Sequence, residues 1–575
     1  MAARHRIILI GLDGATFTLL RPWMDAGHLP YLASLVEGGA SGELRSTVPP
    51  ATVPAWQSFM TGKNPAKHGI VWFTRRERDG YGEIPVEAGT GGARTLWEIL
   101  GAAGHRTLVL NVPYSSAPAG FNGVLIGGFD TPPSRMAEVA RPPEILAEIE
   151  RQLGPYRVQP RMPGLLLAQR SPSVLETFLR DCEDLTDYQF RAAHHLLDVD
   201  AFDAVVFYQL APDRIQHWLW HALDETHPWH DRRSAPRLRE LVLDYFRRLD
   251  TRIERLVNRL GTANVIVMSD HGFGPVWKAL DLSTWLLHEG YLRIRRRPVA
   301  RLKLLLWRLG WSPLRLSGGL ATRLLRWPAV EKRLVRVFAA QGEVSARSRL
   351  GMALGRLFLQ RGDIDWKRSR AYCLSGFGMI RINLAGRDPE GAVTRDEYER
   401  VRDEIADKLA RLVDPATGRP IGGRVHLRDE IYDGPYIDDM PDLVYLTLEQ
   451  GYIIEQPMAL PLVSNRVVID DPKISATHRM DGILIARGPS IRRGVSVERA
   501  SILDLAPTVL HLIGEDIPDD MDGRVLIELL DGEARERAPR RCRAEAPPAA
   551  SPPADPSPED QLVITERLRG LGYID

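Results

Sequence analysis

Short apolar or β-branched runs alternate along the chain with longer segments whose apolar residues recur at helical spacing. The short runs predict strands at Arg6–Leu12, Thr107–Val112, Gly123–Gly128, Ala204–Leu210, Asn264–Ser269, Met379–Leu384, Asp442–Leu448 and Gly482–Ala486. The helical pattern predicts helices at Ser173–Leu197, Arg239–Leu260, Arg395–Leu412 and Ile502–Ile513. Strands that alternate with helices are typical of an α/β fold in which helices cover both faces of a mostly parallel sheet. We therefore expect a three-layer α/β/α core.

One segment departs from this alternation because it is strongly basic. Between Arg293 and Arg336 the chain has thirteen lysines and arginines and a single acid, Glu331, with leucines and tryptophans interleaved. The pattern predicts a basic, amphipathic helical insertion within about 275–370. In one interpretation, the apolar residues of this insertion pack inwards and the insertion is a helical cap. In the other, the apolar residues and the arginines together dock on an anionic membrane surface or a polyanionic substrate. No single-strand stacking module is recognisable, so no nucleic-acid partner is expected.

The overall composition hides this segment. The chain has 575 residues, with 75 Lys+Arg against 74 Asp+Glu and a formal net charge of +1. Its hydrophobic share of 44% excludes a wholly disordered chain. Because the segment 293–336 carries a net charge of +12, the rest of the chain carries −11. The neutral total therefore does not exclude an anionic partner.

Cysteine usage and the length of apolar runs bear on the compartment. Cys182, Cys373 and Cys542 are far apart and odd in number, which argues against a disulfide framework and favours a reducing compartment. The chain has no apolar run of transmembrane length, and Ile7–Ile10 is too short for a signal-peptide core. We expect a cytoplasmic protein that can associate peripherally with a membrane through 293–336.

A change in composition near the C-terminus predicts the domain boundaries. Seven prolines within 538–560 predict a stiff, extended Pro/Ala-rich linker over about 536–560. Ser557-Pro558 then has the pattern of a helix start, and three leucines predict a short helical tail over 561–575. We expect residues 1–535 to form one catalytic domain that carries the basic insertion.

Acidic and histidine side chains stand where predicted strands end. Asp13 follows the first strand, and Asp270-His271 follows Asn264–Ser269. Open α/β sheets bind ligands at the carboxyl ends of their strands, so these residues are candidate ligand-binding residues. Each of them alone also fits an ordinary turn residue.

Further candidates follow the strand Ala204–Leu210. Asp213 and His217 are four residues apart, which on a helix puts a carboxylate and an imidazole on one face, half of a zinc site. A solvent-exposed pair fits the same spacing, and His217 with His221 is a competing pair. His478 lies in a polar segment and is predicted as a loop histidine.

Thr52 is the candidate nucleophile. It precedes Val53-Pro54 and a helix-like run, so it is predicted at a helix N-terminus. Backbone N–H groups there favour an anion such as phosphate, although a hydroxyl at that position also fits an ordinary N-cap. A threonine becomes an effective nucleophile only when a metal or a base activates it.

Taken in this order, the segments resemble the alkaline phosphatase superfamily, and within it the type I phosphodiesterase/nucleotide pyrophosphatase family. The resemblance runs from about residue 6 to 530 and weakens between about 275 and 370. The segments that carry it are the first strand with Asp13, the nucleophile segment from Thr52 to His68-Gly69-Ile70, the ligand motifs Asp213–His217, Asp270-His271-Gly272 and Thr477-His478-Arg479, and the helix and loop from Ile502 to Gly523.

The resemblance implies an alkaline-phosphatase-like core and a hydrolase with two divalent metal ions, usually Zn²⁺ and alternatively Mn²⁺. It implies attack by Thr52 on a phosphodiester or pyrophosphate and a covalent phosphothreonine that water then hydrolyses. One ion would be held by Asp213, His217 and His478, and the other by Asp13, Asp270 and His271, with Thr52 reaching the second ion.

One position departs from the family pattern. Aligned at the His-Gly-Ile step of 68–70, Phe73 stands where nucleotide pyrophosphatases have an asparagine that holds phosphoryl oxygens. A phenyl ring donates no hydrogen bond, which puts nucleotide specificity in question. The candidates to replace this donor are Lys67, Thr74, Arg75 and Arg76.

Other functions stay open at this stage. The motif of the sulfatase nucleophile is absent from the sequence, which disfavours sulfate esters. A phosphoglycerate mutase uses related metal chemistry, but typically with a serine nucleophile and an insertion placed earlier in the chain. A head-group transferase or hydrolase acting on a lipid- or glycan-linked phosphoester at the membrane surface would use the same metal site. A binding protein that has lost its activity is the non-enzymatic alternative.

Overall fold

The central feature of the molecule is an eight-stranded sheet built around the first strand, Ile7–Leu12. A computed structural model describes residues 6–545 and 564, except 78, 119, 162–169, 311–357, 375, 455–461 and 463. Every residue of this first strand is buried. A continuous apolar strand of this kind is typical of a sheet covered on both faces.

The strands and helices follow the alternation that the sequence predicts. In chain order the strands are β1 (Ile7–Leu12), β2 (Ala40–Arg45), β3 (Thr74–Arg76), β4 (Glu83–Pro85), β5 (Thr107–Leu110), β6 (Gly123–Ile126), β7 (Ala204–Gln209), β8 (Asn264–Met268), β9 (Gly272–Pro275), β10 (Lys278–Leu280), β11 (Ala371–Cys373), β12 (Met379–Ile382), β13 (Arg424–Leu427), β14 (Leu443–Leu446), β15 (Tyr452–Ile454), β16 (Val468–Ile469), β17 (Ala476–Arg479), β18 (Asp481–Arg487), β19 (Val495–Ser501), β20 (Ile517–Pro518) and β21 (Arg541–Cys542). The α-helices are α1 (Phe17–Asp25), α2 (Pro30–Glu37), α3 (Thr52–Thr61), α4 (Pro65–His68), α5 (Leu96–Ala102), α6 (Met136–Val139), α7 (Ile145–Leu153), α8 (Pro172–Val199), α9 (Ala211–Leu223), α10 (Ala235–Leu260), α11 (Leu282–His288), α12 (Pro298–Arg308), α13 (Arg395–Ala410), α14 (Arg428–Ile431), α15 (Leu505–Ile513) and α16 (Gly532–Glu536).

The central sheet has the strand order β19-β2-β18-β8-β1-β7-β5-β6. β1 pairs in parallel with both β7 and β8, and β5 continues the parallel arrangement to β6. β18 is the exception, because it runs antiparallel to β2 and β8. The prediction of a mostly parallel sheet is confirmed. The carboxyl ends of β1, β7 and β8 consequently meet at one edge of the sheet.

Helices cover both faces of this sheet. Successive residues of a strand point to opposite faces. In β7, the ring of Phe207 contacts Phe190 of α8, whereas the ring of Tyr208 contacts Trp56 of α3. α8 and α3 therefore lie on opposite sides, which confirms the three-layer α/β/α prediction. Gly11 permits the close approach of α3, because a Cβ there would lie 2.3 Å from the Trp56 ring.

Two of the predicted strands belong to a different sheet. β12 and β14 lie in a separate antiparallel sheet with the order β11-β12-β14-β13. All residues of both strands are buried, and a short buried run does not reveal which strands it pairs with. Beside β14, Asp442 binds the guanidinium of Arg387 with two hydrogen bonds of 2.7 and 2.8 Å.

The predicted insertion, linker and tail are described only in part. Of the insertion, the structure describes residues up to 310, including α12, and residues from 358 onwards, so 311–357 lie outside the described residues. The predicted linker begins within the folded body, since β21 pairs in parallel with β20. Residues 546–575 also lie outside the described residues, apart from Ile564, which is buried in the main core. Among the described residues, no helix has the length and apolarity that crossing a membrane requires.

Candidate metal centre

One group of three side chains, the Asp213 cluster, lies beyond the carboxyl end of β7. Asp213 and His217 stand one turn apart on α9, and His478 reaches them from β17. Asp213 Oδ1 lies 3.4 Å from His217 Nε2 and 3.3 Å from His478 Nε2. All three side chains are buried, and their ligand atoms are close enough to hold one metal ion.

A second group, the Asp13 cluster, lies at the carboxyl ends of β1 and β8. Asp13 follows β1, and Asp270 and His271 follow β8, its parallel neighbour. His271 Nε2 lies 3.3 Å from Asp13 Oδ1 and 3.4 Å from Asp270 Oδ2. This group is also buried and also able to hold one ion.

The two clusters are in direct contact. The rings of His271 and His478 stack with their centroids 3.5 Å apart. Thr52, the first residue of α3, places its Oγ1 3.4 Å from His271 Nε2. The structure thus brings all seven predicted site residues together at one edge of the sheet.

Backbone carbonyls orient the three histidine rings. His217 Nδ1 donates to Ala476 O and His478 Nδ1 to Pro50 O, both at 2.8 Å. His271 Nδ1 donates to the carbonyl of the next residue at 3.1 Å. Because a carbonyl oxygen only accepts, each Nδ1 carries the proton and each neutral ring directs the lone pair of Nε2 into its cluster. The Nε2 atoms of His217 and His478 are only 3.3 Å apart, so two lone pairs face each other, and a cation relieves this arrangement.

The three carboxylates of the clusters are also arranged for cations. Burial raises the pKa of Asp13 well above its usual range, and the nearby Asp270 and Asp213 raise it further. Burial raises the pKa of Asp270 to about 7. For Asp213, burial opposes ionisation, but the positive charge of Arg214 favours it, and the pKa of Asp213 lies well below the usual range.

Several carboxylate oxygens of the clusters have no hydrogen bond. These are Oδ1 of Asp13, Oδ1 of Asp213 and Oδ2 of Asp270, all buried without a hydrogen-bond partner among the described residues. Buried polar atoms in native proteins are normally satisfied. Orphaned oxygens beside facing nitrogen lone pairs fit two bound divalent cations.

Sequence reasoning missed the side chains that support the clusters. Tyr208 donates its hydroxyl hydrogen to Asp13 Oδ2, and Arg214 Nη1 lies 3.1 Å from Asp213 Oδ2. Gln216 Nε2 donates to the carbonyl of Gly14 at 2.9 Å and so fixes the turn after Asp13. Tyr208 lies within an apolar strand and the other two lie on α9, where only their tertiary neighbours reveal these roles.

Aromatic rings line one side of the Asp213 cluster. Phe377 packs against His478 with ring centroids 5.3 Å apart, and Trp72 packs against Phe377 at the same separation. Phe73 is buried and contacts Trp72. This wall is contributed by the segment after the nucleophile helix and by the loop between β11 and β12.

The proposed substitutes for the family asparagine are engaged elsewhere. Thr74 Oγ1 donates to a glutamate at 2.9 Å, Lys67 and Arg76 form ion pairs with aspartates, and Arg75 is exposed. In the part of the chain that the structure describes, no hydrogen bond or ion pair joins any of these four residues to either cluster.

Two details of the sequence analysis are corrected by the structure. His478 lies in β17 and not in a loop, because pairing with β9 sets it opposite Phe273 and overrides the polar local sequence. His221, the alternative partner of His217, belongs to neither cluster and instead lies beside His227 and Trp229.

Solved structures and a family model are similar to this chain. The chain is similar to an inactive variant of murine ectonucleotide pyrophosphatase/phosphodiesterase 5 in complex with AMP, at 13% identity, 92% coverage of this chain, 100% coverage of that chain and a TM-score of 0.47. It is also similar to phosphonoacetate hydrolase from Sinorhizobium meliloti in complex with phosphonoformate, at 16% identity, 89% and 95% coverage and a TM-score of 0.48. The sequence model described as type I phosphodiesterase/nucleotide pyrophosphatase matches residues 7–310, more than half of the chain. The protein therefore belongs to the type I phosphodiesterase/nucleotide pyrophosphatase family.

Proposed function

We propose that the protein hydrolyses phosphodiester or pyrophosphate bonds at a two-metal site with Thr52 as the nucleophile. The observation that carries this proposal is the contact between the Asp213 cluster and the Asp13 cluster, with Thr52 Oγ1 3.4 Å from His271 Nε2. A hydroxyl beside two adjacent cation sites is suitably placed to attack a phosphorus atom held between them.

The donor set favours zinc. Each cluster offers three carboxylate or imidazole ligands, and three protein ligands with a further position for substrate are typical of catalytic zinc. Manganese prefers sites richer in oxygen. Divalent ions at such a centre withdraw charge from phosphoryl oxygens and lower the pKa of a nearby hydroxyl. One ion would be held by Asp213, His217 and His478, and the other by Asp13, Asp270 and His271 with Thr52 beside it.

The charge of the loaded site favours a phosphate ester. Three carboxylates contribute −3 and two divalent ions +4, so the centre carries about +1 when its histidines are neutral. Burial lowers the pKa of both His271 and His478, which favours their neutral forms. A buried centre with a small positive charge binds an anionic phosphoryl group and disfavours a neutral ester.

The position of Thr52 supports its role as nucleophile. It is the first residue of α3, and the preceding Ala51 has no side chain that could cap the helix. Thr52 is thus the first helical residue and not the N-cap, and its Oγ1 lies 3.4 Å from His271 Nε2, which argues against the alternative of an ordinary N-cap. Backbone N–H groups at the start of a helix favour an anion such as the phosphoryl group that Thr52 would attack.

The reaction then takes two displacements. In the first, Thr52 Oγ1 attacks phosphorus in line, a P–O bond forms, and the bond from phosphorus to the leaving oxygen breaks. The hydroxyl proton is released to solvent, and the leaving oxygen takes up a proton. In the second, water attacks the phosphothreonine, the bond between phosphorus and Oγ1 breaks, and Thr52 regains its proton.

Substitution of Thr52 tests this function. We expect Thr52→Ala to lower the hydrolysis of a soluble aryl phosphodiester by at least the order of a thousandfold, and Thr52→Ser to retain most of it. Metal content, measured by elemental mass spectrometry, should be unchanged in both variants. Thr61→Ser, at the other end of α3, is the control. Full activity of Thr52→Ala with bound metal would refute the assignment.

A second candidate is the same chemistry on a lipid- or glycan-linked phosphoester at a membrane surface. The observation that favours it is a row of exposed apolar side chains on α12, within the predicted basic insertion. The cytoplasmic location stays a prediction of the sequence.

A further inference from the structure

The outer face of α12 exposes an unusual amount of apolar surface. Val299, Leu302, Leu305 and Leu309 are 65%, 57%, 54% and 72% exposed, and we call them the α12 stripe. At about 100° per residue, these four side chains fall within an arc of about 120°. They are half of the eight large hydrophobic residues exposed to this degree in the described part of the chain.

The opposite face anchors α12 to the body. Ala300 and Trp307 are buried, and Trp307 packs against Leu359 and Leu462. Lys303 Nζ forms an ion pair with Asp363 at 2.9 Å. The helix is therefore held in place by one apolar face while a second apolar face points outwards. Helices on the surface of soluble domains normally turn polar residues outwards, so a contiguous exposed stripe marks an interaction surface.

Arginines accompany the stripe. Arg301 and Arg308 lie on the flank of α12 beside the stripe, and three more arginines precede the helix. Among the described residues, none of the five forms an ion pair through its guanidinium, and all are exposed: Arg293, Arg296, Arg297, Arg301 and Arg308. Asp363, the acid that contacts α12, is already neutralised by Lys303. In the part of the chain that the structure describes, the surface around the stripe is therefore positive, and no acid pairs with these five arginines.

We propose that the α12 stripe and its arginines dock on an anionic lipid surface. Leucine side chains on one face of a helix enter the boundary between headgroups and acyl chains, while flanking arginines bind lipid phosphates. A nucleic acid would engage the arginines but leave the leucines in water. A second copy of the chain would cover the leucines but bring the arginines of both copies together, which is unfavourable. Of these three, an anionic lipid surface satisfies both features.

Docking has a consequence for the substrate. It would hold the protein at a surface that displays phosphoesters, so hydrolysis of a lipid-linked phosphodiester should be faster on anionic vesicles. This consequence rests on the proposed function, whereas the docking itself does not.

Vesicle sedimentation of the full chain tests the docking. We expect binding to phosphatidylcholine vesicles that contain phosphatidylglycerol and little binding to phosphatidylcholine alone. Each arginine near an anionic surface contributes about fivefold to the partition coefficient, so the triple variant Arg297→Gln, Arg301→Gln, Arg308→Gln should bind on the order of a hundredfold less. Leu302→Ser with Leu305→Ser should lose at least about tenfold per leucine.

Exposed residues outside α12 provide matched controls. Val199 is 55% exposed, and the variant Val199→Ser should bind vesicles as the wild type does. The same holds for the triple variant Arg232→Gln, Arg233→Gln, Arg237→Gln, whose side chains are exposed on another part of the surface. Hydrolysis of a small soluble ester should be unchanged in every one of these variants.

Several results would overturn the proposal. These are no binding to anionic vesicles, equal binding by the wild type and the α12 variants, or a lipid-free dimer that Leu302→Ser with Leu305→Ser dissociates. In the last case a second copy covers the stripe. Thr52→Ala should still bind anionic vesicles. A variant that loses hydrolysis but still binds vesicles therefore tests the proposed metal centre. A variant that loses vesicle binding but still hydrolyses the soluble ester tests the α12 surface.

Discussion

Chelation of the bound metal should make the free energy of unfolding fall as the pH rises from about 4 to about 8. Without a cation, Asp13 and Asp270 lie in the same cluster with no exposed surface. Burial raises the pKa of Asp270 to about 7 in the folded protein. In the unfolded chain, an aspartate titrates at about 3.9. Between these values the folded protein holds a proton that the unfolded chain has already released.

The sign and the size of the change in the free energy of unfolding follow from the difference between the folded and unfolded pKa of Asp270. A group whose pKa is raised by folding stabilises the fold fully below its unfolded pKa, and this contribution is lost as the pH rises through the folded pKa. The two pKa values are about 3 units apart, and each unit is worth about 1.4 kcal/mol. The free energy of unfolding of the metal-free protein should therefore fall by about 4 kcal/mol across this pH range. Asp270→Asn keeps the shape and cannot ionise. Without metal, this variant should be more stable than the wild type above pH 7 by a similar amount.

With metal bound, the wild type should be more stable than Asp270→Asn. The wild type gains the free energy of metal binding, whereas Asp270→Asn lacks a ligand and gains less. Urea unfolding followed by tryptophan fluorescence, with and without chelator over a pH series, measures all four cases. Asp25→Asn, an exposed carboxylate at the end of α1, is the control. A metal-free wild type of constant stability from pH 4 to 8, or a metal-free variant no more stable at pH 8, would refute the reasoning.

Three further substitutions probe the small sheet, the nucleophile helix and the Asp213 cluster. Arg387→Met removes the two guanidinium hydrogen bonds of the buried Asp442 and leaves it Arg428 and Tyr398, so it should destabilise the protein by about 3 kcal/mol in urea unfolding. Gly11→Ala sets a Cβ 2.3 Å from Trp56 on the helix that carries Thr52. It should destabilise by about 1–3 kcal/mol and lower kcat more than it changes KM in steady-state kinetics. His217→Gln should lower bound zinc from two equivalents to one by elemental analysis.

Matched controls exist for each of these substitutions. Arg411 pairs with Asp407 on the exposed surface, so Arg411→Met should change stability by less than about 1 kcal/mol. A Cβ on Gly362 would contact nothing within 4 Å, so Gly362→Ala should leave kcat unchanged. His221→Gln should keep both metal ions, because His221 lies outside the clusters. An effect at the control as large as at the test position would contradict the prediction concerned.

Much of the centre could be predicted because its signals are local. Asp13 and Asp270 stand directly after buried strands, and Asp213 and His217 share one face of a helix. Parallel neighbours end at the same edge of a sheet, so strand order alone brings these residues together.

Contacts between distant segments could not be predicted in this way. His478 lies in a strand because β17 pairs with β9, which is about two hundred residues earlier in the sequence. Phe377 meets His478 from a loop of the small sheet, and Tyr208 meets Asp13 across neighbouring strands. None of these contacts leaves a periodic pattern in the residues that make it. The sequence likewise predicts that α12 is amphipathic, but its apolar residues occupy two faces, and only packing shows which face is outside.

Buried and exposed charges of this molecule depend on salt in different ways. The aspartates of the two clusters have no exposed surface and would balance bound cations, so added salt screens them little. The arginines beside the α12 stripe are exposed, and their attraction to an anionic surface decays over a Debye length of about 8 Å at physiological ionic strength. Rising ionic strength should therefore release the protein from anionic vesicles while the hydrolysis of a small soluble ester changes little. If both fell in parallel, docking and chemistry would depend on the same charges, and the separation between the α12 surface and the metal centre would be wrong.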